Sequence, residues 1–406
     1  MRLLLVLTGF FLMTQVKTNA QKSIKKLPKK WRCIVKIQDK TIDFTLEEKP
    51  GKIIPAQYIL WNGTEKIDLN KNIKVGDSLY CPISVFESKL IFPIKLSNSF
   101  SGFYVNAKNQ RLPFEAKLIP VTEGFSKSRI PTKYRGSWKL YFHDGGLPTD
   151  SGVLVTQLRG DSIYGTILTE TGDYRFLNGR AGEVAYLQTI DGAHTYRFDY
   201  EAKNDSLFGS FIYGPKGTQL FYGLKIKEPI LKDGFEITKA GSDEKFRFTA
   251  KDEEGKIINQ SDALVRNKAV VLQILGSWCP NCLDETKFLT SAYAHKPKNV
   301  QFLGLAFERK PNLKQAYERI NILKSRLKVP YPIFYGGMAN KDSAKLAVPF
   351  LTKVFAFPTT VFIKSDGSIY KVHSGFTGPA TGKFYSDWVS EFNTILKEIA
   401  PEGITK

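Results

Sequence analysis

From residue 31 to about 228 apolar and polar residues alternate at nearly every second position. In WRCIVKI, Trp31, Cys33, Val35 and Ile37 fall on one face, and in SLYCPISVF, Leu79, Cys81, Ile83 and Val85 do the same. Such period-two segments, cut by Gly, Asn, Asp and Pro, predict an all-β region over 21–130, with Pro82 marking an edge or bulged strand. A second β block, 131–228, begins near GSWKLYFHDGG (136–146). Turn pairs such as Gly160-Asp161 and Asn204-Asp205 separate strands rich in aromatic and β-branched residues, which predicts an antiparallel meander, sandwich or barrel with its aromatics as core. KEPILKDGFEI (227–237), with Pro229 and Gly234, reads as the join to a different domain, placing a linker over 229–239.

Past about 240 the period changes. AVVLQIL (269–275) is a continuous apolar run of strand length, and the segment after it has helical spacing in Phe288, Leu289 and Tyr293. VQFLGLAF (300–307) predicts a second buried strand. Pro311 opens a helix whose stripe is Leu313, Ala316, Ile320 and Leu323. A short apolar YPIFY, a helix over about 343–354, a hairpin in TTVFIKSDGSIYKVHSGF and a helix around FYSDWVSEFNTILKEI complete the pattern. The fold class expected is multidomain: an all-β N-terminal region of sandwich or barrel type, followed over 240–404 by an α/β domain with a mixed central sheet.

A chain of 406 residues suits two or three domains. Its first residues, MRLLLVLTGFFLMTQVKTNA, carry Arg2, an apolar stretch from Leu3 to Met13 and small residues at Thr18 and Ala20. That stretch is well short of the about 20 residues a spanning helix needs, so a cleaved signal peptide over 1–20 and an exported protein are expected. Disulfides can form in such a compartment. The net charge of +20 is spread over both halves and is not gathered into a stripe, so no nucleic-acid partner is expected. A solvated basic surface is the first reading; peripheral contact of the lysine-rich QKSIKKLPKK (21–30) with an anionic envelope surface is the second. Of the four cysteines, Cys33 and Cys81 both point inward, where they could form a structural disulfide or serve as two buried apolar side chains.

Cys279 and Cys282 are placed differently, in LGSWCPNCLDE (275–285) between a strand and a helix. Pro280 fits the first helical turn, where its missing N–H is not needed. Unpaired N–H groups and the positive end of the helix dipole then face the first sulfur and favour its nucleophilic form. Cys282 lies one turn along on the same face, within bonding reach. A cycle follows in which Cys279 attacks a disulfide and Cys282 resolves the mixed disulfide. A staple closing so small a loop would restrict the unfolded chain little. Zinc would need further ligands: His295 stands where a finger's first histidine would, but residues 299–301 are Asn, Val and Gln. A peroxidatic cysteine would need a hydroxyl three residues before it, and neither cysteine has one. GPATGKF (378–384) is one residue short of a P-loop and has Phe384 where a hydroxyl must hold magnesium.

LGSWCPNC resembles the active-site loop of the thioredoxin superfamily, and more closely that of TlpA/ResA-like exported thiol:disulfide oxidoreductases. GTILTETGDYRFLNG and DGAHTYRF are similar to N-terminal portions of such fused proteins, with no function attached. The resemblance implies that Pro358 in FAFPTT is a cis-proline facing the dithiol and that the backbone of Phe357 pairs with extended substrate. Gln273 stands where thioredoxins carry a buried aspartate, and an amide cannot take the proton from Cys282. The resemblance points to Glu308 in LAFERK as that proton acceptor; the other reading is a surface glutamate paired with Arg309 or Lys310. Asp284 and Glu285 are expected to serve the helix dipole, and Trp278 to shield the sulfurs and receive a partner. Together these imply a reductant of protein disulfides without metal or cofactor, fed by a membrane or periplasmic electron donor. A dithiol oxidase or isomerase is one alternative. The other is an envelope binding protein whose β-rich half holds the ligand.

Overall fold

The computed structural model describes residues 28–51, 55–69, 71–120, 132–241 and 245–400. The expected signal peptide and residues 21–27 lie outside the described residues.

The first β region is a nine-stranded sheet in which Lys30–Ile37 lies between Lys40–Glu48 and Arg111–Leu118. Its strict alternation buries Trp31, Cys33, Val35 and Ile37 and leaves the residues between them exposed. The sheet curls upon itself: Tyr58 meets Phe92 edge-on at 5.2 Å although their strands are distant in the sheet order. Pro82 ends an unbulged strand that lies inside the sheet order, yet Pro82 itself stands at a local edge, as expected. The edge strand Ile73–Val75 pairs only with residues 78–80, so beyond Tyr80 that side has no strand partner and proline is tolerated. Three strands separate Cys33 from Cys81, and both are free, buried thiols in one apolar cluster. The disulfide considered for this pair is therefore not formed; their side chains fill core.

The second β region is a closed antiparallel ring. Gly136–His143, Asp150–Arg159, Ser162–Thr169, Leu177–Arg180, Ala185–Ile190, Thr195–Lys203, Ser206–Tyr213 and Gly217–Ile226 pair in chain order. The last strand then returns to the first, Ser137 opposite Ile226 and His143 opposite Leu220, which closes an eight-stranded barrel without open edges. Trp138, Phe198, Phe211 and Phe221 fill its interior, with Phe198 stacked on Phe211 at 4.2 Å. A two-residue strand, Gly172–Asp173, pairs with the end of Ser162–Thr169 that Leu177–Arg180 does not reach.

In the C-terminal domain, strands β1 (Ala269–Leu275), β2 (Val300–Glu308), β3 (Ile333–Met338), β4 (Thr359–Ile363) and β5 (Ile369–Ser374) alternate with helices. The helices are α1 (Pro280–Tyr293), α2 (Leu313–Leu327), α3 (Lys341–Ala347) and α4 (Lys383–Ile399). β1 pairs parallel with β2 and antiparallel with β4, and two short strands extend the sheet beyond β3. The apolar run of β1 is continuous because the strand is buried on both faces. Val271 and Leu275 enter the cluster under α1, α2 and α4, while Val270, Leu272 and Ile274 enter the cluster under α3. α3 is shorter than the helix expected over 343–354, because Val348 precedes Pro349 and leaves the helical region at φ −131°, ψ 69°.

The segment predicted as a linker is packed. Asp233 caps a short 3-10 turn at Gly234–Glu236, and Ser374 donates to Thr238 Oγ1 at 2.6 Å.

Candidate active site

The loop after β1 delivers Cys279 as the N-cap of α1, with extended backbone (φ −92°, ψ 122°) and Pro280 behind it. Its Sγ accepts from the backbone N–H of Cys282 at 3.3 Å and lies 3.4 Å from the Phe357 carbonyl, to which the thiol donates. Phe357–Pro358 is a cis peptide. Both cysteines are buried, Cys279 at 6% exposure being the outer and Cys282 at 1% the inner. Trp278 forms the rim: its indole N–H donates to the Phe307 carbonyl at 3.0 Å, its ring meets Phe357 edge-on at 5.7 Å, and Arg309 lies 4.0 Å above it.

Beneath the inner sulfur is a polar network. Glu285 Oε2 accepts from Gln273 Nε2 at 2.8 Å and Oε1 accepts from Thr360 Oγ1 at 2.7 Å. Thr286 Oγ1 lies within donating distance of both Gln273 Oε1, at 3.1 Å, and the Cys282 carbonyl, at 2.7 Å. Burial pushes the Glu285 carboxyl up to about 7, against the pull of its two hydrogen bonds. Burial, then the Cys279 sulfur and, in smaller measure, Glu285 push the Cys282 thiol far up. Glu285 is thus no surface partner of the helix dipole, as its position in the first turns suggested. It is fully buried, and it brings from the helix the carboxylate that β1 lacks at Gln273. The available signal was its spacing, three residues after Cys282 on the same helical face.

Glu308 is also buried, but it is turned to the loop before the cysteines. Its two oxygens accept from the Ser277 N–H at 2.8 Å and the Ser277 hydroxyl at 2.7 Å, and burial raises its carboxyl against those bonds. The surface alternative is not seen: Glu308 is 1% exposed, Arg309 covers Trp278 and Lys310 pairs with Glu87.

Asp284 departs furthest from expectation. Arg175, from the barrel, donates Nε to Asp284 at 2.7 Å, Nη1 to Asp191 at 2.6 Å and Nη2 to Glu65 at 2.5 Å, so one buried guanidinium joins both β regions to α1. Burial opposes ionisation of Asp284, yet Arg175 and Lys287 hold its carboxyl below the usual range. The barrel turn carrying Arg175 also rests on the site. A Cβ on Gly172 would stand 1.9 Å from Asn281 Nδ2, between the two cysteines. Phe376 N–H donates to the Thr171 carbonyl at 3.3 Å, and Gly378 N–H donates to Asp173 at 2.7 Å. Among the described residues no group of three His, Cys, Asp or Glu side chains is placed to hold a metal ion.

A family model described as Redoxin matches residues 239–384. The thiol:disulfide interchange protein DsbE of Escherichia coli (strain K12) is 25% identical over 162 residues, 39% of this chain and 74% of that protein. Among solved structures, a thiol-disulfide oxidoreductase from Bacteroides fragilis NCTC 9343 is similar at 20% identity and TM-score 0.27, over 38% of this chain and 99% of that one. A secreted disulfide oxidoreductase of Mycobacterium tuberculosis is similar at 19% identity and TM-score 0.25, over 35% and 95%.

Proposed function

With residues 239–384 a thioredoxin-superfamily domain of the TlpA/ResA-like thiol:disulfide oxidoreductase kind, we propose that this chain is an exported reductant of protein disulfides working through Cys279 and Cys282. The observation that carries the reading is the difference between two buried sulfurs: Cys279 caps the start of α1, taking the Cys282 N–H and facing the Phe357 carbonyl, and Cys282 lies deeper, its thiol pushed far up by burial.

Cys279, as thiolate, attacks one sulfur of the substrate disulfide, forming a mixed disulfide and releasing the other substrate sulfur as thiolate. Cys282 then gives up its proton and attacks the Cys279 sulfur. The Cys279–Cys282 disulfide closes, the second substrate thiol leaves, and two electrons have passed to the substrate. Glu285 is the proton acceptor for Cys282, since a carboxyl titrating near 7 can take a proton at neutrality and return it. Glu308 holds the loop through Ser277 and so fixes where Cys279 stands. Trp278 and Phe357 offer an apolar landing surface, and the cis-proline loop brings a backbone edge to the outer sulfur. Export rests on the N-terminal pattern of Arg2, an apolar stretch and small residues.

The reduced protein is expected to reduce insulin disulfides, and the Cys282→Ser variant to accumulate a mixed disulfide through Cys279. The reduction potential decides direction: a value near about −270 mV supports a reductant, and one near about −120 mV supports an oxidant.

A further inference from the structure

The barrel does more than accompany the redox domain, because its hairpin turn and the short strand after it, Thr171–Asp173, pack against the loop that carries the dithiol. That turn packs on Asn281 between the cysteines and on Phe376 and Gly378 of the loop after β5. A substrate strand laid along the cis-proline loop therefore cannot leave across that flank. The same turn borders an opening on its other side. A groove of about 550 Å³ runs between the barrel's outer wall at Val153 and Leu168, the inter-domain segment at Ile230 and Leu231, and Phe355 of the cis-proline loop. A second cavity of about 650 Å³ shares Lys139, Val153 and Ile230 with it, so the groove continues along the barrel. Two large apolar side chains on its walls are exposed, Ile230 at 84% and Phe355 at 44%, the latter with the Lys353 ammonium 4.7 Å above its ring.

We infer that this groove seats the polypeptide strand flanking the substrate's disulfide, with an apolar side chain of that strand held between Phe355 and Ile230. The inference rests on the thiol-exchange reading and adds where the substrate chain lies. The distances suit it. Phe355 stands two residues before Phe357, whose carbonyl lies at the Cys279 sulfur, so that groove wall is no more than about 7 Å of chain from the residue beside the sulfur. The groove carries Lys139 and Lys232 together with Asp150 and Glu170, so its mixed charges favour no net charge in the occupant. Most of the remaining lining is polar, Ser151, Thr169 and Thr171 included, so apolar selection is confined to the exposed pair Ile230 and Phe355.

The test uses the full chain and two probes: a disulfide-linked peptide with leucine two residues from its cysteine, and a small aromatic disulfide with no polypeptide. Ile230→Glu and Ile230→Ala change a groove wall outside the exchange machinery, and Ile230 is exposed enough that its replacement leaves packing intact. The expected result is a KM for the leucine peptide raised about tenfold in each variant, as loss of one apolar contact predicts, with kcat and small-disulfide turnover unchanged. An unchanged peptide KM in both variants, with both probes still turned over, overturns the groove and leaves the exchange chemistry standing. An equal loss on both probes also overturns it, since the sulfurs and not the seat would then have been disturbed. Failure of the unaltered protein on both probes overturns the exchange reading itself, and the groove with it.

Discussion

Two pairs of cysteines, one in the first β region and one in the C-terminal domain, show how little burial says about a thiol. All four are buried, and burial raises the thiols of Cys33, Cys81 and Cys282 alike. Cys33 and Cys81 have Val, Leu, Ile and aromatic neighbours, and three strands lie between them. Cys279 and Cys282 share a helix start, a backbone N–H and a buried carboxyl network. A cysteine becomes a reagent through polar groups arranged around it, and stays a filler without them.

The largest effect that could break this contrast is on turnover. Cys279→Ser should lower disulfide reduction by about a thousandfold or more, whereas Cys33→Ser and Cys81→Ser should leave it unaltered in the same assay. A comparable loss from the β-region variants would erase the distinction. Glu285→Gln comes next: if Glu285 is the proposed proton acceptor, its loss should slow closure of the Cys279–Cys282 bond by about a hundredfold, seen as a mixed disulfide that accumulates in quenched samples.

Glu285 also sets a pH dependence. Its carboxyl ordinarily titrates near 4.5 and here near 7, so the fold keeps a proton that the unfolded chain loses in that window. Its contribution to stability therefore falls as pH rises from about 4.5 to about 7 and is level above. Urea midpoints of the native protein should carry that slope, and those of Glu285→Gln should lack it.

Arg175→Ala probes the seam between the compared regions. It leaves Glu65, Asp191 and Asp284 buried without their shared cation, and about 3–5 kcal/mol of stability should be lost in urea titration. The smallest effect belongs to the exposed pair Lys383–Asp387, where Lys383→Ala should change stability by less than about 0.5 kcal/mol.

What the chain disclosed on its own follows the range of the forces involved. The two cysteines, Pro280 and the strand before them are local, and period-two and helical spacing placed most strands and helices near where they lie. Barrel closure was not visible, because the pairing of Ser137 with Ile226 spans most of that region and leaves no local mark. Arg175 looked like any arginine in GDYRFLNG; its partners Glu65 and Asp284 stand more than a hundred residues away on either side. Glu285 differs from its expected place for a related reason. An acid in a first helical turn suits solvent and dipole equally, and only the strands of Gln273 and Thr360 packed against it reveal its burial. Pro349, by contrast, was in plain view and ends α3 as its chemistry requires.

The shared guanidinium has a consequence for biogenesis. A chain that emerges amino end first completes Glu65, Arg175 and Asp191 while Asp284 is still unmade, about a hundred residues behind. Until the redox helix arrives, the nascent β half carries an unfinished ionic socket, and docking of that helix is the event that fills it.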